Sequence, residues 1–392
     1  MRLRLRSASR RNPIQFPTNI GRPNPGDANK IQGCDFHPGF QQVAIFDKRT
    51  GEIEEKRLQH REEAEPFYQS LSEQQVRVGL EACGHYPQWL AEVGIELWLG
   101  DAAKVRAAVV RRQKTDRRDA EHVLQLLLEN RFPKIWVPSL EVREVRQLLV
   151  HRHKQVQART RTKNQLQAMA LSQGVQKKWK LWTKAGREEL EPLPLLPYTA
   201  QRRQQLLRAL DGLEAEIGEL DRRVAEEARQ RPEAVRLRTH PGVGPVTALA
   251  MVLTLGPAER FGSAKQVGSY FGLIPSEESS GGKQRLGRIS QQGSSFLRFL
   301  LVEAGQTAAR LDPQLKRFYK RLAMRKNRSI AKVAVARKLA TRLYLMFARG
   351  LDVCATESGR HAGEPESSCG RAEQTDRLSG QPASLKKSGS SK

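Results

Sequence analysis

Residues 31–58 read IQGCDFHPGFQQVAIFDKRTGEIEEKRL, and the grouping of apolar and turn residues in this stretch decides the fold of the first half of the chain. Apolar and β-branched residues cluster on either side of His37-Pro38-Gly39, and an Arg-Thr-Gly turn follows Asp47. The pattern predicts a strand, a turn, a second strand (QQVAIFD), a tight turn and a third strand. A helix is expected from about Glu62 to Leu71, followed by the short strand VRVGLE, a helix near Tyr86–Val93 and the strand IELWLG. Thr115–Asn130 is helical by its period, with Ala120, Val123, Leu124, Leu127 and Leu128 on one side. Three strands in a row, then alternating helix and strand, predict an α/β domain with a mixed sheet over residues 31–138.

Working outward, residues 1–30 are polar and basic, carry Pro13, Pro17, Pro23 and Pro25, and read as a disordered extension. Residues 139–234 read as a helical connector. Its first half is basic (RHKQVQARTRTKNQLQ) and it breaks at LEPLPLLP. Its second half places Leu206, Leu210, Leu213, Ile217, Leu220 and Val224 at alternating spacings of four and three. That seam fits an intramolecular helical hairpin and a dimer zipper equally well. Residues 235–350 form a mainly helical unit, and the polar tail 351–392 is expected to be disordered.

Lys and Arg total 68 against 42 Asp and Glu, a net charge of +26. A surplus of this size sets up a long-range positive potential whose commonest partner is nucleic acid. The basic residues run through the middle of the chain as well as its ends. No apolar run approaches the roughly 18 residues that span a bilayer, and the basic N-terminus lacks the apolar core of a secretory signal. Its Arg- and Ser-rich, acid-free composition also fits an organelle transit peptide, the lesser reading beside a cytoplasmic one. The four cysteines show no CxxC spacing, so neither a disulfide framework nor a zinc site is expected.

Four carboxylates stand at the ends of these elements. Asp35 follows the first strand, Glu81 ends VRVGLE, and Asp116 and Asp119 lie three apart at a helix start, on one face. Mg²⁺ takes oxygen ligands, few of them from protein when phosphates supply the rest. Each acid alone reads equally well as a solvated surface group, and Asp116 and Asp119 as carboxylates favoured at a helix N-terminus.

Two segments of the second unit carry further candidates. Pro241-Gly-Val-Gly-Pro245 resembles the hairpin of a helix-hairpin-helix unit, in which Gly242 and Gly244 let backbone approach a phosphate; a turn joining two packed helices reads the same way. In GLIPSEESSGGKQRLGRIS, Ser279-Ser280-Gly281-Gly282 precedes Lys283, Arg285 and Arg288. This is either a flexible loop with solvated charges or an exposed serine nucleophile beside phosphate-binding cations. A serine needs a base, a metal or local charge to activate it, and no histidine lies nearby in sequence.

The order strand–Asp–hairpin, strand–Glu and KTD-x-x-DA on a helix resembles the DEDD insertion-sequence transposases, whose first domain is similar to the Holliday-junction resolvase RuvC and which include the Piv-type DNA invertases. The stretch GLIP…SSGGK…RLG…IS…QG…FLR resembles their C-terminal domain, so the likeness covers about residues 31–350. It implies an RNase H-like fold for 31–138 and Mg²⁺ (or Mn²⁺) held by Asp35, Glu81, Asp116 and Asp119. It also implies a nucleophilic serine, placed at Ser280 with Ser279 as its rival. Lys114, Arg117 and Arg118 of the KTDRRDA block, with Gly242, Gly244, Lys283, Arg285 and Arg288, are the expected nucleic-acid contacts. Some members are guided by an RNA, so a guide RNA stands beside double-stranded DNA (element ends and target) as a partner. The resemblance implies a homodimer or homotetramer, because two DNA sites must meet, and a cytoplasmic, nucleoid-associated bacterial protein. The N-terminal extension and the tail lie outside the shared core and touch no motif position. The expected function is that of a DNA transposase or recombinase. A structure-selective nuclease using water, and a non-catalytic nucleic-acid-binding protein, are the alternatives.

Overall fold

The computed structural model describes residues 28–72, 74–81, 90, 93–108, 115–176 and 180–351. The expected helix near Tyr86–Val93, Lys114, and most of both terminal extensions lie outside these residues. The described chain divides at Ser139–Leu140 into two compact units.

The first unit is built on a five-stranded mixed sheet. Its strands are β1 (Lys30–Phe36), β2 (Phe40–Asp47), β3 (Ile53–Gln59), β4 (Val76–Glu81) and β5 (Glu96–Gly100), in the order β3-β2-β1-β4-β5. The β1–β2 and β2–β3 pairs are antiparallel, whereas β1–β4 and β4–β5 are parallel. The expected first helix is one π-turn, His60–Ala64, leading into α1 (Glu65–Gln69); α2 (Ala102–Ala107) and α3 (Asp116–Leu128) follow. Side-chain alternation sorts β2 between two layers. Val43 and Ile45 pack with Cys34, Tyr68, Val78 and Leu80, while Ala44 and Phe46 pack with Ala120, Val123, Leu124 and Leu127 of α3. Cys34 is a buried thiol that donates a hydrogen bond to Gln41. Leu126 is buried in α3, and Leu128 is only partly so.

The approach of α3 to the sheet depends on two glycines. A Cβ on Gly33 would lie 2.3 Å from both Ala120 O and Leu124 N, and one on Gly79 would lie 2.6 Å from a Leu127 methyl. Bare backbone at these two facing positions in β1 and β4 therefore seats the helix directly on the strands.

The second unit contains α4 (Leu140–Ser172), α5 (Lys184–Leu190), α6 (Pro197–Arg229), α7 (Pro232–Leu237), α8 (Pro245–Leu255) and α9 (Ala264–Tyr270). A hairpin, β6 (Pro275–Glu277) with β7 (Leu286–Ile289), leads into α10 (Ser295–Leu311), α11 (Pro313–Arg325) and α12 (Arg328–Arg349). The seam on α6 is spent within the chain: Leu207 and Leu210 are buried with Leu166 and Ala170 of α4, and Val224 with Val145 and Leu149. Ion pairs Arg152–Asp221 (2.7 Å) and Lys163–Glu214 (2.8 Å) fasten the same two helices. Of the two seam readings, the structure adopts the intramolecular one. Val145, Leu149 and Val224 share one core with α8, α10 and α12, so the helical connector and residues 235–350 form one unit. No helix among the described residues is long and apolar enough to cross a membrane.

Candidate active site

Glycine placement on the strands determines where the carboxylates point. Asp35 is two residues beyond Gly33, and Glu81 two beyond Gly79, so both project to the face that α3 covers. The parallel register pairs Cys34 with Leu80, which sets Asp35 and Glu81 one step further at the same level on adjacent strands, about 4.8 Å apart as strands are. The first turn of α3 lies over this end of the sheet. Thr115 caps it, accepting from the Arg118 amide, and Asp116 and Asp119 occupy that turn, where the helix dipole favours negative charge.

Asp35 and Asp116 converge on a group absent from the sequence reasoning, His37. Its Nε2 is 3.2 Å from Asp35 Oδ2 and 3.5 Å from Asp116 Oδ1, and one ligand atom from each residue lies within 4.8 Å of the others. His37 follows β1 by a single residue and stacks on Phe40; a histidine two positions after a strand-end Asp in DFHPG is the signal that could have found it. Burial raises the Asp35 pKa, the charge of His37 lowers it, and the charges of Asp119 and Asp116 raise it again, leaving it above the usual value. Asp119 therefore belongs to the same cluster electrostatically. Glu81 is held by Arg106 of α2, whose Nη2 and Nε lie 2.9 and 3.3 Å from one carboxylate oxygen. The sequence did not point to Arg106.

This donor set suits a hard divalent cation. It offers carboxylate oxygens and one imidazole nitrogen and is only partly buried, and the Asp35 pKa is raised first by burial and then by the charges of Asp119 and Asp116. Of the expected nucleic-acid contacts here, Arg117 is tied to Glu55 (2.6 Å) and Glu121 (3.3 Å), while Arg118 is exposed.

In the second unit, Gly242 (φ +87°) sits against α10, where a Cβ would meet Ala308 N at 2.7 Å. Its bareness serves helix packing, whereas Gly244 caps α8 with open space around it. The serines lie at the turn of the β6–β7 hairpin. Gly281 and Gly282 (φ +59° and +74°) form a two-residue turn closed by the Lys283 amide donating to Ser280 O at 3.1 Å. Ser279 Oγ donates to Glu277 at 2.7 Å and accepts from the Arg285 amide at 3.1 Å. Ser280 lines the same shallow hollow of about 380 Å³ with Gly281, Gly282 and Lys283. Lys283, Arg285 and Arg288 are all exposed. Glu277, two residues upstream, is the acceptor that a search for histidine overlooked.

Comparison with known proteins gives two matches in chain order. Residues 32–173 match the IS110-type DEDD transposase model, and residues 234–320 match the model described as the transposase IS116/IS110/IS902 family. A probable family 20 transposase of Pseudomonas aeruginosa is 29% identical over 289 residues, 69% of this chain and 84% of that protein. The transposase for insertion sequence element IS1111A of Coxiella burnetii is 27% identical over 69% of this chain and 78% of its own length. A pilin gene-inverting protein of Moraxella lacunata is 26% identical over 52% of this chain and 71% of its own. With one model covering the carboxylate cluster and the other the serine hairpin, the chain belongs to the IS110/IS116/IS902 family of transposases, which are DNA-processing enzymes.

Proposed function

We propose that this transposase cleaves and rejoins double-stranded DNA at insertion-sequence ends and targets, using an RNase H-like carboxylate domain and a serine nucleophile. The observation that carries this reading is the convergence of Asp35, His37 and Asp116 within 4.8 Å at the end of two parallel strands, with Asp119 contributing its charge. Asp35, Glu81, Asp116 and Asp119 would hold Mg²⁺ or Mn²⁺, which supplies Lewis acidity at phosphate oxygens when bound. Glu81 joins the set as Arg106 moves off its carboxylate. His37 holds Asp35 and Asp116 toward each other.

The serine step takes place at the hairpin. A serine hydroxyl oxygen forms a bond to phosphorus as one phosphorus–oxygen bond to a sugar breaks; the serine gives up its proton and the departing sugar oxygen takes one up, so the phosphodiester to serine preserves the energy needed for rejoining. Ser280 is the nucleophile in this reading and Ser279 its rival. The hydrogen bonds favour the rival, because the Ser279 hydroxyl donates to Glu277 and the Arg285 amide fixes its oxygen. Lys283, Arg285 and Arg288 hold the phosphate. A homodimer or homotetramer brings two DNA sites together, and a guide RNA is a further partner in the same reading.

Trapping the protein–DNA adduct on a nicked element-end substrate tests this. Ser280→Ala and Ser279→Ala are compared with Asp35→Ala and Asp119→Ala. One serine variant should lose the covalent adduct completely, and both aspartate variants should lose activity while still binding DNA. Cleavage that persists in both serine variants but fails in the aspartate variants would leave a metal-dependent nuclease using water.

A further inference from the structure

We propose that the helical pair α11–α12 is a docking surface for the phosphate backbone of duplex DNA. It rests on the reading of the chain as a DNA recombinase and adds a surface that none of the motif residues covers.

Between Pro313 and Gly350 there are twelve Lys and Arg and no Asp or Glu. The contrast with α6 is direct. There Arg223 pairs with Glu219 and Arg229 with Glu226 (2.7 Å), so the field of these two cations is offset within their own helix. On α11 and the turn after it, Lys316, Arg317, Lys320, Arg325, Lys326 and Arg328 are exposed, and none of them makes an ion pair among the described residues. Cationic neighbours four apart repel in the free protein, and a polyanion relieves that repulsion.

Position on the helix gives the surface a form. Leu315 is buried, and Phe318 and Tyr319 pack against the core of this unit. The outer face carries two rows at intervals of four, Lys316–Lys320 and Arg317–Arg321–Arg325, the first continued by Met324. From Lys316 to Arg325 the rows rise about 14 Å. Met324 and Ile330 flank the turn at 82% and 46% exposure, apolar side chains of the kind that contact sugars and base edges beside a basic clamp. An α-helix enters the major groove of B-form DNA, about 12 Å wide, but not the deep, narrow groove of an RNA duplex. A membrane-surface helix would need its apolar face free, and that face of α11 is spent on the core.

The test is the salt dependence of duplex binding by the full chain, using an oligonucleotide of arbitrary sequence. A triple variant, Arg317→Gln, Lys320→Gln and Arg325→Gln, is compared with Arg187→Gln, Arg223→Gln and Arg229→Gln, which removes three cations already paired to acids. Each lost phosphate contact should lower the slope of log K against log salt by about 0.9. The first triple is therefore expected to reduce the slope by about 3, and the second to leave it nearly unchanged. Arg317→Lys with Arg325→Lys should keep the parental slope, which separates loss of charge from misfolding. Equal effects of the two triples, a parental slope in the first, or a larger loss on an RNA hairpin than on duplex DNA would each overturn the proposal. A parent chain that binds no duplex at all would instead overturn the recombinase reading beneath it.

Discussion

Gly33 presses the backbone of β1 against α3 so closely that Gly33→Ala would set its methyl 2.3 Å from Ala120 O and Leu124 N. Backbone cannot rotate away as a side chain can, so the helix must lift, carrying Asp116 and Asp119 from Asp35. Overpacking costs about 1–3 kcal/mol in a rigid core, and Gly33→Ala should fall at or above the top of that range in denaturant melts and lose activity. Gly79→Ala meets the Leu127 side chain rather than backbone and should cost less and retain activity. Asp35 makes a second case. Its carboxyl is pushed up by burial, pulled down by His37 and pushed up again by Asp119 and Asp116. A raised value means that the carboxyl stabilises the fold below the unfolded pKa of about 3.9, and that this contribution is lost as pH rises through the folded value. In a chelator, Asp35→Asn should therefore melt above the parent at neutral pH, and the gap should close in acid. Added Mg²⁺ should raise the melting temperature of the parent and not of the variant. The positions of Asp35 near the end of β1 and of Asp116 and Asp119 in the first turn of α3 were legible because the apolar runs of those elements begin or stop beside them; the metal role came from the resemblance. The role of Arg106 was not legible, because a six-residue helix brings it to Glu81, 25 residues away, and that of His37 was only half so: it stands two residues from Asp35, but its approach to Asp116 is set by the fold.

At the scale of elements, Asp312 links α10, α11 and α12. It caps α11 by accepting from the Leu315 amide at 2.8 Å and is ion-paired with Arg342 of α12, which also donates to Gln314 at 2.7 Å. Burial alone would raise its pKa, but the Leu315 amide and the Arg342 guanidinium hold it below the usual carboxylate range. Asp312→Ala removes the α11 cap and leaves the partly buried Arg342 with Gln314 alone, and should cost about 1–3 kcal/mol, measured by chemical denaturation. A depressed carboxylate stabilises the fold above its unfolded pKa and loses that stabilisation as pH falls through the folded value, so the difference between parent and variant should shrink below about pH 4. The long helices were legible from their 3.6-residue period, and the α6 seam was placed to within a residue: Leu207 is buried where Leu206 was expected, and Leu206 packs at its side. The β6–β7 hairpin was not legible as strands. Its residues are almost all exposed, so no apolar alternation marks it. Backbone pairing and two glycines of positive φ hold it instead.

For the molecule as a whole, composition named the class of partner but not where it binds. The net charge of +26 is unevenly spread: residues 313–350 supply +12, nearly half of it, in about a tenth of the chain. The α4–α6 hairpin is also rich in Arg and Lys, but it carries acids as well, and ion pairs to Asp221, Glu214, Glu219 and Glu226 offset four of its cations. Only coordinates separate cations that are neutralised at home from those that are not, because the partners lie up to 69 residues apart. The asymmetry has a kinetic consequence. A uniformly basic particle collides with a polyanion in any attitude, and most collisions are wasted. The acid-free stretch from Pro313 to Gly350 adds a strong local field to that of the other exposed cations, and this field favours approaches in which α11 meets the polyanion. Orientation is then biased during approach, and salt, by shortening the reach of the field, should slow productive association more than it hastens departure.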